Sequence, residues 1–87
     1  MQISSDWVVY ILECNDGSLY TGIAVDLERR INEHQSSKGA KYTKGRSPLK
    51  LVYTESNHTK STALKREAQI KSLSRKCKLE FIKNALK

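Results

Sequence analysis

The chain is poor in the residues that staple or span a protein. Its two cysteines, Cys14 and Cys77, lie far apart and neither belongs to a CxxC pair; two histidines elsewhere complete no zinc pattern. A disulfide-framed scaffold and a structural zinc module are therefore excluded, and two reduced thiols are expected. One proline and four glycines leave no material for a flexible or Pro-rich linker. The longest apolar run is Trp7-Val8-Val9-Tyr10-Ile11-Leu12, far short of the roughly 20 residues a membrane helix needs. No membrane association is expected. The first residues, Met1 to Asp6, carry no basic segment followed by an apolar one, so no signal peptide is expected and the cytoplasm is the expected location.

Acids are also scarce: nine against sixteen Lys and Arg, a formal net charge of +7 in 87 residues. The imbalance is uneven. Residues 1–34 hold two bases and six acids, a net of −4, and residues 35–87 hold fourteen bases and three acids, a net of +11. A basic surface draws a polyanion and releases its counterions on binding. Charge alone would equally suit a lysine-rich surface that serves only solubility. With 38% hydrophobic residues the chain can bury a modest core, and one domain over residues 1–87 is expected, with its core at about 7–80.

What is present reads as an α+β fold. Trp7 to Leu12 is β-branched and aromatic, and its continuous apolarity predicts a strand covered on both faces. Asn15-Asp16-Gly17-Ser18 is hairpin-turn chemistry, and Leu19 to Ile23 returns as an antiparallel partner. Asp26 caps a helix of about ten residues from Leu27. The polar stretch Ser36 to Arg46 reads as loop. Leu49 to Thr54 is a third strand whose alternation suits a sheet edge. Thr59 or Ser61 caps a helix reaching about Leu73, with Ala63, Leu64, Ala68 and Ile70 on its apolar arc. Ser74 caps a last helix with Leu79, Ile82 and Leu86 on one stripe and Phe81 beside it. The order β-β-α-β-α-α predicts a three-stranded antiparallel sheet flanked by helices.

Several polar residues fall where the core should be. In the helix from Leu27, His34 shares the face of Leu27 and Ile31, and Arg30 sits at its edge. A cation and an imidazole directed at the sheet suit a functional cleft, although Arg30 could snorkel and His34 could be a satisfied core residue. In the next helix Glu67 lies within the apolar arc, with Lys71 at i+4. It is either an inward carboxylate awaiting a metal or half of an ordinary helical ion pair. Tyr10 and Tyr20 lie on adjacent strands of the hairpin, where packing alone accounts for tyrosine.

Taken together, these residues resemble the GIY-YIG endonuclease family. Val8-Val9-Tyr10 stands where the family has its first tripeptide and Tyr20-Thr21-Gly22 where it has its second. Tyr20 through His34 resembles the family signature through its first helix, with its Arg on Arg30 and its His or Tyr on His34. The family's metal-binding Glu falls on Glu67. The resemblance covers about residues 7–80 and is greatest to the short stand-alone bacterial members. Val8-Val9 for Gly-Ile and Thr21 for Ile keep strand character. Ile23 replaces a lysine that some members carry, and a late asparagine has no clear equivalent, Asn84 lying in the terminal helix.

The resemblance implies a GIY-YIG-type fold and metal-dependent hydrolysis of nucleic-acid phosphodiester bonds by water, with structured DNA preferred to RNA. Glu67 would hold one Mg²⁺ or Mn²⁺ and Arg30 would contact a phosphate oxygen. Tyr10 would help deprotonate the attacking water, with Tyr20 and His34 orienting it or accepting its proton. Lys41, Lys44 and Arg46 flank Tyr42, which could stack on an unpaired base, so these four are the expected nucleic-acid contacts. No base-reading motif is present, and a protein partner that supplies specificity is a further expectation. The alternatives are a catalytically silent nucleic-acid-binding module of the same fold, and a protein that turns its basic face to an acidic partner.

Overall fold

The computed structural model describes residues 6–35 and 49–85. Three strands and three helices occur among them: β1 (Trp7–Glu13), β2 (Leu19–Ala24), α1 (Leu27–Gln35), β3 (Lys50–His58), α2 (Lys60–Lys71) and α3 (Arg75–Ala85). The strands form one antiparallel sheet in the order β2-β1-β3. The most apolar segment of the chain thus takes the centre, the position with a partner on each side.

The β1–β2 turn works as its residues suggest. Gly17 adopts φ 83°, a conformation that costs glycine nothing. Asp16 Oδ1 accepts from the Ser18 amide at 3.0 Å, and the Cys14 amide donates to the Ser18 carbonyl at 2.8 Å. The turn fixes the register, which sets Tyr10 opposite Gly22 and Leu12 opposite Tyr20.

Period-two alternation along β1 then feeds two cores. Val9 and Ile11 pack with Ala63, Ile70 and Ile82 beneath α2 and α3; Tyr10 and Leu12 pack with Cys14, Ala24 and Leu49, against Leu27 and Ile31 of α1. Both faces of β1 are covered, as its composition predicts. Both cysteines are free thiols, Cys14 buried and Cys77 exposed. No helix among the described residues is long and apolar enough to cross a membrane.

Three local expectations are corrected. The third strand does not stop at Thr54 but runs to His58. Glu55 pairs with Val9 and His58 with Trp7 across β-bulges, and Asn57 takes φ 64° near the strand's end. The polar tail is held by a side-chain cluster: Glu55 accepts from Tyr53 Oη at 2.6 Å and from Arg66 Nε at 3.1 Å, and His58 Nε2 lies 2.5 Å from its other side. In α2, Ala63 and Ile70 are buried but Leu64 is 46% exposed, and Ala68 is exposed too. The covered line is narrower than the predicted arc, and at about 100° per residue Leu64 turns off it. Leu79 of α3 is likewise 40% exposed, while Ile82 is buried and Phe81 half-buried. Thr59, not Ser61, caps α2, in a reciprocal capping box with Thr62.

Candidate active site

Tyr10 and Tyr20 project to the α1 side of the sheet. They are diagonal neighbours in the β1–β2 ladder, since Tyr10 faces Gly22 and Tyr20 stands two residues before it. Their ring centroids lie 6.3 Å apart. Gly22 makes this possible. A Cβ at that position would stand 2.7 Å from Tyr10 Oη, 2.8 Å from its Cζ and 3.0 Å from Tyr20 Cε2. The glycine is the hole that the first phenol occupies.

The other wall is α1. Asp26 caps it, its Oδ1 accepting from the Arg29 amide at 3.1 Å and its carbonyl from the Arg30 amide at 3.0 Å. Leu27 and Ile31 lie against the sheet, so the turn that follows delivers His34 to the same face. His34 is fully buried. Its Nε2 lies 3.0 Å from Tyr10 Oη, and its ring meets both tyrosines edge-on, at centroid distances of 6.1 Å and 5.1 Å. Burial, with the nearby Arg30 charge, pushes the His34 pKa below its ordinary 6.5, Glu33 opposing. The shift favours the neutral imidazole, whose Nε2 shares a hydrogen bond with the phenol.

Tyr10 is pushed up from 10.0 to about 12, first by burial and then by Tyr20; Arg30 pulls it partly back, and the Glu67 carboxylate adds to the rise. Arg30 from α1 and Glu67 from α2 thus both act on one phenol. Arg30 is about one-third exposed, at 34%, and reaches Glu33 at 3.5 Å. Beside it opens a recess of about 340 Å³ between Trp7, Val25 and Arg29. Glu67 is 20% exposed and lies 3.6 Å from Lys71 Nζ. The helical ion pair and the half-covered carboxylate are the same feature. Around the helix Glu67 stands about 40° from Ala63, on the flank of the buried line.

The structure brings Tyr10, Tyr20, Arg30, His34 and Glu67 into one neighbourhood. Lys41, Tyr42, Lys44 and Arg46 lie outside the described residues. Gly22 was missed as a site residue by sequence reasoning; its signal was the hairpin register, which puts it directly across from Tyr10.

A family model for the GIY-YIG catalytic domain matches residues 6–80. The chain belongs to the GIY-YIG family. A UPF0213 protein of Staphylococcus saprophyticus is 58% identical over 74 residues, 85% of this chain and 90% of the relative. A UPF0213 protein of Streptococcus agalactiae is 49% identical over 86% of this chain and 85% of its own. The solution NMR structure of the UPF0213 protein of Bacillus halodurans, 49% identical, superposes with TM-score 0.58, covering 88% of this chain and 82% of that one. That of an E. faecalis protein, 36% identical, gives 0.63, covering 100% and 94%. The predicted fold, β-β-α-β-α-α on a three-stranded antiparallel sheet, is the GIY-YIG fold of these neighbours, and the relatives named are bacterial.

Proposed function

We propose that the protein is a metal-dependent endonuclease that hydrolyses phosphodiester bonds of nucleic acid, structured DNA in the first place. One observation carries this reading: Tyr10 Oη lies 3.0 Å from the fully buried His34 ring, with the Arg30 guanidinium of α1 and, more weakly, the Glu67 carboxylate of α2 near enough to act on the phenol. A phosphodiester cleavage site needs a cation for the phosphate, an anion for a metal and a proton acceptor.

Arg30, partly exposed and forked, suits a non-bridging phosphate oxygen. Glu67 offers a single, mostly covered carboxylate, an oxygen ligand of the kind a hard divalent cation takes. No group of three His, Cys, Asp or Glu assembles among the described residues, so one carboxylate would serve, as it does where Mg²⁺ keeps its waters and takes substrate oxygens. Bound there, Mg²⁺ or Mn²⁺ would supply charge stabilisation at the phosphate and leaving oxygen. Lys71 would yield the carboxylate.

Tyr20 is half-buried and Tyr10 fully buried, so Tyr20 is the solvent-side member of the ring cluster and Tyr10–His34 its interior continuation. A phenol near 12 does not exist as phenolate at neutral pH. It can take a proton from water only while passing its own to Nε2 of His34, 3.0 Å away. His34, kept neutral, is the acceptor at the end of that path.

The test is a nicking assay on flapped, branched, nicked and single-stranded DNA and RNA with Mg²⁺ or Mn²⁺, comparing wild type with Glu67→Gln and Arg30→Ala. Metal-dependent cleavage lost in both variants is expected. Folded, metal-supplied wild type that cuts nothing would overturn the enzyme reading and leave a nucleic-acid-binding module.

A further inference from the structure

Around the corner from the ring cluster, the opposite face of β2 meets the end of α2 and the start of α3. A recess of about 330 Å³ lies there, lined by Leu19, Tyr20, Thr21, Lys71 and Lys78. A second, of about 150 Å³, continues from it past Leu19 and Lys78 to Ser18 and Arg75. Thr21 is 2% exposed, and its Oγ1 is buried with no hydrogen-bond partner among the described residues. A buried hydroxyl left unpaired is costly and calls for an explanation.

The charged side chains that line the recess itself are both cationic, Lys71 and Lys78, although Lys71 is also paired with Glu67 at 3.6 Å and Glu13 stands across the ladder from Leu19. Between Glu67 and Glu80 the sequence places Lys71, Arg75, Lys76 and Lys78 and no acid. Lys78 is half-buried along the recess and makes no ion pair among the described residues. Arg75 is fixed in place, its Nη2 donating to the Gly17 carbonyl at 2.7 Å. Gly17 keeps that approach open: a Cβ there would lie 3.3 Å from the same nitrogen.

We propose that this recess, floored by Thr21 and flanked by Lys71 and Lys78 with Arg75 at its far end, is a second phosphate-binding site that holds a neighbouring backbone phosphate of the nucleic-acid strand being cut. It rests on the endonuclease reading for the strand's identity. Tyr20 is the shared wall, belonging both to the ring cluster and to the recess. A strand whose scissile phosphate meets Arg30 would therefore leave past Tyr20 over Lys71 and Lys78 toward the β1–β2 turn. A phosphate that parts the side chains over Thr21 would let its buried hydroxyl donate to a phosphate oxygen, and the lysines supply the cations that release its counterions.

The experiment is binding of a short single-stranded oligodeoxynucleotide without divalent metal, followed by the amide spectrum of labelled protein and by affinity across a salt series. Three variants are compared with wild type: Lys78→Gln, Thr21→Val and, at the distal end of α3, Lys83→Gln. The amides of Leu19, Thr21 and Lys78 should shift on titration. Lys78→Gln should lower the slope of log K against log salt by about 0.7, one single-strand phosphate contact. Lys83→Gln should leave the slope unchanged. Thr21→Val should weaken binding several-fold yet melt no lower than wild type, which separates a ligand-binding hydroxyl from a structural one. Equal effects of Lys78→Gln and Lys83→Gln, shifts confined elsewhere, or no binding by wild type at low salt would each overturn the site. Lys78-dependent binding by a protein that never cuts would sink the enzyme reading and keep the site. Cleavage with no Lys78 dependence would do the reverse.

Discussion

Replacing Gly22 with alanine adds one methyl group and should do unusual damage. Gly22 is not in the left-handed region, so alanine meets no backbone penalty, and the whole effect lies in contacts. The new carbon would stand 2.7 Å from Tyr10 Oη and 2.8 Å from Cζ, where carbon contacts prefer about 3.5–4.0 Å. Tyr10 is fully buried and cannot swing into solvent. Overpacking of this kind costs about 1–3 kcal/mol. Any shift of the ring also strains the 3.0 Å bond to His34, and leaving that pair unmade costs about 1–3 kcal/mol more. A loss of about 2–6 kcal/mol is a large share of the roughly 4–13 kcal/mol expected for a chain of this length. In a domain this small the melting temperature should fall by at least about 8 °C. Thermal and urea unfolding followed by circular dichroism measure it. Tyr10→Phe removes the nearest contact, so the double variant should lose less than the sum of the two singles, with a coupling of about 0.5–3 kcal/mol. A Gly22→Ala protein as stable as wild type, or strict additivity, would refute the reasoning.

Three further outcomes follow from the same geometry. Because His34 is held below its ordinary 6.5 in the fold, the unfolded chain binds more protons just under that pH. Stability should then fall as pH drops below about 6.5, and His34→Gln should flatten that slope in a series of urea melts. Glu55 is held below its usual 4.5 by its hydrogen bonds from Tyr53, His58 and Arg66, against the opposing effect of burial; its contribution is present above that value and lost as pH falls through the folded pKa, so Glu55→Gln should cost about 1–3 kcal/mol at neutral pH and remove the acid-dependent loss. Cys77 should react with a thiol reagent in the native protein, while Cys14, 4% exposed, should react only on unfolding; two equally fast thiols would contradict the packing of the α1 side.

Legibility in the sequence varied with the range of the interaction that decides each element. Trp7 to Leu12, Asp16-Gly17 and the Asp26 cap are local signals, and each appears where composition places it. The polar end of β3 is not local. Glu55 and His58 extend the strand because β1 lies alongside and Arg66 arrives from α2. Leu64 and Leu79 look like core residues on a helical wheel, but how much of a helix is covered depends on the tilt at which it meets the sheet. At the site, periodicity placed His34 on the inner face of α1, yet only the hairpin register reveals that Tyr10 fits over Gly22. For Glu67 the two readings left open are both present, a half-covered carboxylate that is also paired with Lys71.

The two halves of the site hang on elements of unequal strength. Tyr10 belongs to the middle strand, hydrogen-bonded on both sides and buried on both faces, the kind of segment whose amides exchange last. Glu67 belongs to a helix pinned by Ala63 and Ile70 as its buried residues. On warming, the helix arms that carry His34 and Glu67 should loosen before the central strand, so an activity that needs them would fall silent below the melting temperature. On the nuclease reading, a divalent ion held by Glu67 would bind only the ordered helix and push that silencing point upward, so the cation would also fasten that arm of the site.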